Sequence, residues 1–496
     1  MLHPTTVHDL KTLVMSFHPL IAVETVEEER VRSLLSSVAA ELRMPLLEWS
    51  LSKGLTRYPH HTAFSDTSNP EMALRFIHSY DEQAIFHFKD LTPHLEVAAV
   101  CRLLRDIAGE FIEKRSTVVI TGDPLELPRG IDQVAVKVEL QAPSEEELRN
   151  ALAAVVQSLR RSSKIDIQLG KKSQKALIDA LSGLTLNQAR QAFAYAIVDD
   201  GKLDEEDIET IIQRKAKMIH EEGILEYFPV EDNHYEIGGF DNLKRWLERA
   251  KIGFTDEARA LNLSPPRGLL FVGVQGCGKS LAAKIIARTW GLPLLKLDAG
   301  RLYDKYIGES ERNFRKAISM AESMAPVVMW IDEIEKAFVP SGSLESDGGL
   351  SRRLFGSFLT WLQEKRAEVF VVGCANDLFA MPPELLRKGR FDEIFFVDLP
   401  NTPERSAILA IHLRLRKQDP ANFDLSALTE ATDGFSGAEI EQAIVSSLYR
   451  SLHQKKPIDT ALLLEEISST IPLSITRRED IERLRETSKG RFVSVR

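Results

Sequence analysis

Cysteine is scarce, with three in 496 residues: Cys101, Cys277 and Cys374. Thiols so few and so scattered exclude a disulfide framework or a cysteine-rich zinc site, and they suit a reducing compartment. Long apolar runs are also missing. No stretch approaches the roughly 18 residues a membrane span needs, and no basic start leads into an apolar signal segment. Retention in the cytosol or an equivalent compartment is the expectation. Positive charge is not in excess: 63 Lys+Arg against 73 Asp+Glu give a formal net charge of −10. Nucleic acid is therefore not an expected partner, although a local basic channel inside a ring would escape this count. No H-E-x-x-H occurs, which argues against a fused metalloprotease. Hydrophobic residues make up 44%, enough for several cores, and the length fits about two to four domains.

One stretch organises the chain, Arg267 to Leu281, RGLLFVGVQGCGKSL. It reads as a buried strand, a glycine-rich turn and a helix opening at Lys279-Ser280. Gly273, Gly278, Lys279 and Ser280 fit the phosphate-loop spacing G-x-x-x-x-G-K-[ST]. Glycines let consecutive backbone N–H groups turn inward, and the helix start adds its positive dipole end. Lys279 would reach the β- and γ-phosphates of ATP, and the Ser280 hydroxyl would sit on Mg2+. Val274, Gln275, Gly276, Cys277 and Leu281 complete the expected cradle.

Downstream, Pro326 to Ile331 is an apolar run that ends in Asp332-Glu333. An acidic pair at a strand's carboxyl end suits a magnesium shell at Asp332 and a water-polarising base at Glu333. A further strand, Val369 to Ala375, ends in Asn376, an amide able to orient that water or sense the γ-phosphate. Then comes Leu385-Leu-Arg-Lys-Gly-Arg-Phe-Asp392. Here the sequence resembles the AAA ATPases, whose second region of homology carries two arginines at this spacing. The resemblance implies that Arg387 and Arg390 reach a neighbouring subunit's site, where a permanently charged fork suits phosphate oxygens. It therefore implies a homo-oligomeric ring, most often a hexamer.

The same resemblance assigns further residues. Tyr235 to Gly239 is similar to the segment that AAA proteins place against adenine, which makes Ile237 and Gly238 base contacts; a plain Gly-Gly turn is the other reading. His412, on a helix starting near Glu404, matches the lid histidine near the ribose, though an apolar helix also holds packing histidines. Gly437-Ala438 matches the lid motif near adenine. Tyr306-Ile307-Gly308 resembles the aromatic-hydrophobic-glycine pore loop that grips extended polypeptide, with surface packing of Tyr306 as the alternative. A second pore loop is expected between 340 and 349. Two departures stand out. Val274-Gln275 replaces the usual Pro-Pro, and Cys277 replaces Thr or Ala. A thiol at a helix start is expected to have a lowered pKa, so Cys277 is either an oxidation-sensitive switch or a small spacer.

The amino half repeats the pattern without its chemistry. A displacement of 248 residues carries Pro45-Leu46-Leu47 onto Pro293-Leu294-Leu295 and aligns Leu20 to Leu51 with Gly268 to Ala299 without a gap. Gly273, Gly276, Gly278, Lys279 and Ser280 become Thr25, Glu28, Arg30, Val31 and Arg32, and Glu27-Glu28-Glu29 sets three carboxylates where phosphates would lie. Lys89 takes the place of Asp332. Ala180 to Ala189 parallels Ala431 to Ile440, lid against lid. The expected fold is α/β: a doubly wound parallel-sheet AAA+ core with a helical lid, preceded by a degenerate AAA-like domain with its own lid, or by an unrelated α/β domain with similar periodicity. The expected divisions are 1–143 for the degenerate domain, 144–228 for its lid-like region and linker, 229–400 for the ATPase core, and 401–496 for the lid and a tail without a readable motif.

Over its whole length the pattern resembles AAA proteins of cyanobacteria and algal plastids, which implies a photosynthetic host and a cytoplasmic or stromal location. Two functions fit: an ATP-hydrolysing ring that remodels or unfolds protein clients, or a nucleotide-gated scaffold with slow ATPase activity.

Overall fold

The computed structural model describes residues 7–60, 62–161, 166–167, 169–229, 238–298, 309–337, 350–387 and 389–496. The chain divides into two compact units, Met1–Asp207 and Ile208–Arg496.

In the first unit, strands β1 (Leu20–Glu24), β2 (Leu46–Ser50), β3 (Gly54–Tyr58), β4 (Thr62–Ala63), β5 (Ile85–Lys89), β6 (Thr117–Gly122) and β7 (Val136–Glu139) form one sheet in the order β4-β3-β2-β5-β6-β1-β7. The five strands β2, β5, β6, β1 and β7 run parallel, and β3 is antiparallel to β2. Alternation along each strand divides the core. Leu20, Leu47, Trp49, Phe86 and Phe88 fill one face, while Ile21, Val23, Leu46, Ile85 and Val119 fill the other. Such strands are apolar throughout because helices cover both faces of a parallel sheet. The helices Glu145–Leu159, Lys171–Leu181 and Leu186–Asp200 follow, with the short parallel pair β8 (Asp166–Ile167) and β9 (Lys202–Leu203).

The second unit holds β10 (Leu225–Phe228), β11 (Gly268–Gly273), β12 (Leu294–Leu297), β13 (Val327–Ile331), β14 (Val369–Ala375), β15 (Glu393–Val397) and β16 (Val493–Ser494), in the order β10-β12-β13-β14-β11-β15-β16. The segment expected to be linker before 229 instead includes a strand. β10 pairs antiparallel with β12, and Ile219, Ile224 and Leu225 enter the second core. The tail likewise joins the fold: β16 extends the sheet beside β15. A lid follows β15, its core built from Leu409, Leu413, Leu428, Phe435, Ile440 and Ile444.

The two sheets share strand order and register. Leu46 faces Ile85 in one, and Leu294 faces Val328 in the other. Leu20 faces Val118 as Gly268 faces Val371, and Ile21 faces Val136 as Leu269 faces Glu393. These registers put Lys89 at the place of Asp332 and Asp90 at that of Glu333, and Asp90 and Glu333 share a left-handed backbone, φ 50 and φ 47. The helices that follow β1 and β11 end alike, at Arg43 and Gly291, both left-handed caps. They begin differently. The helix Lys279–Trp290 starts after the phosphate loop, whereas Glu28–Leu42 starts three residues earlier in the alignment. Without glycine, and with Glu28 and Glu29 suiting a helix amino terminus, the loop's last residues wind into helix. The amino half is therefore an AAA-like domain whose loop has become helix. Among the described residues no helix is long and apolar enough to cross a membrane.

Candidate nucleotide site

The phosphate loop of the second unit leaves β11 at Gly273, where φ is 148 and an added Cβ would lie 2.0 Å from the Val397 carbonyl oxygen. Only glycine fits there. Gly276 and Gly278 are left-handed, φ 75 and φ 91. Val274 turns its side chain into the core, and its N–H donates to the Val397 carbonyl at 2.9 Å, so this residue supports the loop from behind. Gln275 to Leu281 line a cavity of about 520 Å³, together with Asp332, Glu333 and Asn376 at one end and Gly238, Ile408, His412, Leu415 and Ala438 elsewhere on its wall. Lys279 is buried, its Nζ donating to the carbonyls of Gly273 (2.9 Å) and Val274 (2.7 Å), and burial pulls its pKa down.

Ser280 Oγ lies 3.2 Å from both carboxylate oxygens of Asp332. A hydroxyl beside a carboxylate is a hard-oxygen pair suited to Mg2+. Glu333 donates its N–H to Asp332 Oδ1 (3.1 Å), and its own Oε1 accepts from Lys336 Nζ at 2.9 Å and from Asn376 Nδ2 at 3.4 Å. The structure thus brings Asp332, Glu333 and Asn376 together. Sequence reasoning missed Glu335. This carboxylate is buried, accepts from the Asn376 N–H at 3.1 Å and has a pKa raised by burial. Its signal lay in the third acidic residue of Asp-Glu-Ile-Glu, two positions beyond Glu333.

The lid touches the loop directly. The Ala438 N–H donates to the Gly276 carbonyl at 3.0 Å, and Ser436 caps this lid helix in a capping box with Glu439. His412 is largely buried against Glu441 (3.7 Å) and Arg416, and burial lowers its pKa. Arg387 is exposed, Arg390 half-buried, and neither lines the cavity. Asp392 ties their segment to β11 by accepting from the N–H groups of Arg267 (2.6 Å) and Gly268 (2.9 Å). Ile237 and the pore-loop residues Tyr306, Ile307 and Gly308 lie outside the described residues, as does 340–349.

Cys277 departs from expectation. The thiol is buried, and burial pushes its pKa up to about 12 despite the opposing charge of Lys279. Desolvation outweighs the helix start, which runs against the lowered pKa expected for an oxidation-sensitive thiol and favours the spacer reading.

In the first unit the corresponding place is filled from within. Arg30, at the position of Gly278, is buried and bonds both carboxylate oxygens of Glu147 (2.8 and 3.0 Å), the carbonyls of Gln141 and Ala142, and Glu27 (3.3 Å). Glu27 Oε1 in turn accepts from the Leu186 N–H at 2.7 Å, at the start of the lid helix Leu186–Asp200. Of the three glutamates expected at the phosphate positions, only Glu27 bridges to the lid. Glu29 is exposed, and Glu28 has a pKa raised by burial and by nearby Asp90. Lys89 Nζ pairs with buried Glu48 at 3.1 Å, and Glu48 lies 3.4 Å from the fully buried His87. Burial alone would raise the Glu48 pKa, but His87 and Lys89 outweigh it and hold the carboxyl at about 2.

Comparison with known proteins agrees with this division. Residues 6–140 match the SpoVK-like AAA ATPase N-terminal domain, residues 146–222 the second domain of those proteins, and residues 269–399 the ATPase family associated with various cellular activities (AAA). Over nearly full length the chain is similar to proteins described as uncharacterized AAA domain-containing protein ycf46. It is 34% identical to that of Pyropia yezoensis, covering 96% of each chain, and 35% identical to that of Guillardia theta, covering 97% of this chain and 94% of the relative. It is also 35% identical to that of Trieres chinensis, over 98% of this chain and 97% of the relative. With that identity sustained through both units, the chain belongs to the ycf46 family of AAA domain-containing proteins.

Proposed function

We propose that the second unit binds ATP with Mg2+ and hydrolyses it to ADP and phosphate, within a homo-oligomeric ring, a hexamer, that remodels protein clients. The observation that carries this reading is the convergence of Ser280, Asp332, Glu333 and Asn376 at one end of a cavity framed by the phosphate loop and the lid. Ser280 and Asp332 would hold Mg2+, which when bound would supply charge neutralisation at the phosphate oxygens. Lys279 leaves the loop carbonyls to pair with the β- and γ-phosphates. Asn376 Nδ2 orients the attacking water, and Glu333 Oε1, released from Lys336, accepts its proton. Arg387 and Arg390 serve a neighbouring subunit's γ-phosphate, which accounts for their absence from the cavity of their own chain. Tyr306-Ile307-Gly308 grips an extended polypeptide. The first unit takes no nucleotide, since helix replaces its glycine loop, Arg30 ties that place to Glu147 and Glu27, and Lys89 supplies internally the cation that a metal would bring. The relatives come from algae, and a plastid stroma or a bacterial cytoplasm suits the chain.

The test is steady-state ATPase of the wild type, Glu333→Gln and Tyr306→Ala, with mass-resolved oligomeric state under ATP and ADP. Turnover by a ring, lost in Glu333→Gln and retained in Tyr306→Ala, is the expected result. Negligible wild-type turnover with ATP-dependent assembly indifferent to Tyr306→Ala replaces the remodeller with a nucleotide-gated scaffold.

A further inference from the structure

The two units solve one local problem from different parts of the chain. In each, a helix following the strand beside β1 or β11, β7 in one unit and β15 in the other, opens with a capping box, Ser144 with Glu147 and Asn401 with Glu404. The register of β7 and β15 makes these glutamates equivalent, and Ala142 equivalent to Leu399. In the first unit an arginine grips the pair: Arg30 bonds Glu147 and the Ala142 carbonyl. Gly278 stands at that position in the second unit and has no side chain to offer. Arg496 takes over, its Nε 3.2 Å from Glu404 Oε2 and its Nη2 donating to the Leu399 carbonyl. The same glutamate and carbonyl are gripped by a guanidinium that arrives from the opposite end of the sequence.

Arg496 is held firmly enough to do this. The Val495 N–H donates to the Phe396 carbonyl (3.2 Å), and the Val495 carbonyl accepts from the Asn242 N–H (3.0 Å). The Asn242 side chain donates to the Ser494 carbonyl at 2.9 Å. Ahead of β16, Arg485 forks onto Asp398 at 2.9 and 3.0 Å. Glu404 lies against the turn assigned to the base. A Cβ on Gly239 would be 2.5 Å from Glu404 Oε1, and Gly238 packs against Ala407 one turn along. Gly238, Glu404, Val495 and Arg496 all line the cavity that contains the phosphate loop.

We infer that Arg496 is a positioning residue of the nucleotide pocket: through Glu404 it fixes the Gly238-Gly239 turn and so sets the affinity for the base end of ATP and ADP. This rests on the ATPase reading above. Because the base end is unchanged by cleavage of the γ-phosphate, the effect is on binding alone and equal for both nucleotides.

The experiment titrates the full chain with ATP and with ADP, and measures turnover, for wild type, Arg496→Ala and Arg496→Lys. Arg496→Ala is expected to weaken both nucleotides about tenfold, the scale of a lost charge-assisted bond. KM rises with kcat unchanged, and lysine restores part of the affinity because it keeps the charge but not the fork. A merely structural role would leave the KM and kcat split unmoved. Arg496→Ala with wild-type affinity for both nucleotides, or with kcat reduced and KM unchanged, overturns the inference. Should alanine fail to fold, Arg496→Gln carries the same test, since it keeps the stem and a donor without the charge. A wild type that does not bind ATP, or that binds it as well after Lys279→Ala, sinks the ATPase reading instead.

Discussion

Arg30 and Glu147 meet fork to fork, Nε to Oε1 at 2.8 Å and Nη2 to Oε2 at 3.0 Å, across a sequence separation of 117 residues. The pair joins the helix that has swallowed the old phosphate loop to the first helix beyond the sheet. Truncating Arg30 to alanine leaves buried Glu27 without its cation and frees Glu147 and two carbonyls. Removing one partner of a fully buried pair costs about 3–5 kcal/mol. Glu147 is 32% exposed, so about 2 kcal/mol is the discounted expectation. Faster hydrogen exchange at the start of Leu186–Asp200 is the readout. Arg30→Ala is not expected to create a nucleotide site, because no glycine turn is restored. In the Lys279→Ala background, saturable ATP binding by Arg30→Ala would contradict this account of the first unit.

Glu335 holds the backbone of Asn376 without lining the cavity. Glu335→Ala is expected to lower kcat roughly tenfold while leaving KM for ATP in place, since a lost hydrogen bond to a charged group is worth about 1.5–3 kcal/mol. Steady-state kinetics with a melting curve separates misplaced Asn376 from loss of fold. An equal rise in KM would mean that Glu335 shapes the binding loop instead.

Cys277 carries a thiol pushed up to about 12 by burial, so almost no thiolate exists at neutral pH. Mild peroxide is therefore expected to leave ATPase activity unchanged, and mass spectrometry to show unmodified Cys277. Activity lost in step with Cys277 oxidation would refute the spacer role.

The first unit is expected to weaken as pH falls. His87 is fully buried with its pKa lowered, first by desolvation, so the unfolded chain binds a proton below about pH 6.5 that the folded chain refuses. Glu48, held at about 2, adds a second loss as the pH falls through its ordinary range, near 4.3, toward its folded value. Both groups make the unfolded state the greater proton binder, so stability rises with pH across both windows. Hydrogen exchange in β2 and β5 at pH 7, 5 and 4 checks this, with protection falling at each step. Protection independent of pH would mean that His87 and Glu48 titrate alike in both states.

Much of this architecture is legible along the chain because its cause is local. Apolar strands, the glycine turn and the ungapped repeat from Leu20 to Leu51 depend on neighbours a few residues apart, and the sheet registers reproduce that repeat. What the sequence hides depends on distance. Nothing near Arg30 points to Glu147, and nothing near Glu27 points to the Leu186 N–H, 159 residues away. The same holds for the tail, where Arg485 and Arg496 look like surface charge until β16 sets them beside Asp398 and Glu404. For Cys277 the expected lowering of the pKa fails because position at a helix start is visible in sequence, whereas burial of the thiol is not.

The placement of the two arginines also bears on synthesis. Arg30 is made early, within the unit it completes, so that unit can close as soon as its own residues leave the ribosome, while the rest is still being translated at about 5–20 residues per second. The second unit must wait. Its phosphate loop is finished by residue 281, yet the strand that carries Arg496 is added more than two hundred residues later. A nascent chain halted shortly before β16 would therefore display the loop, the acidic pair and the lid while still lacking one wall of the pocket.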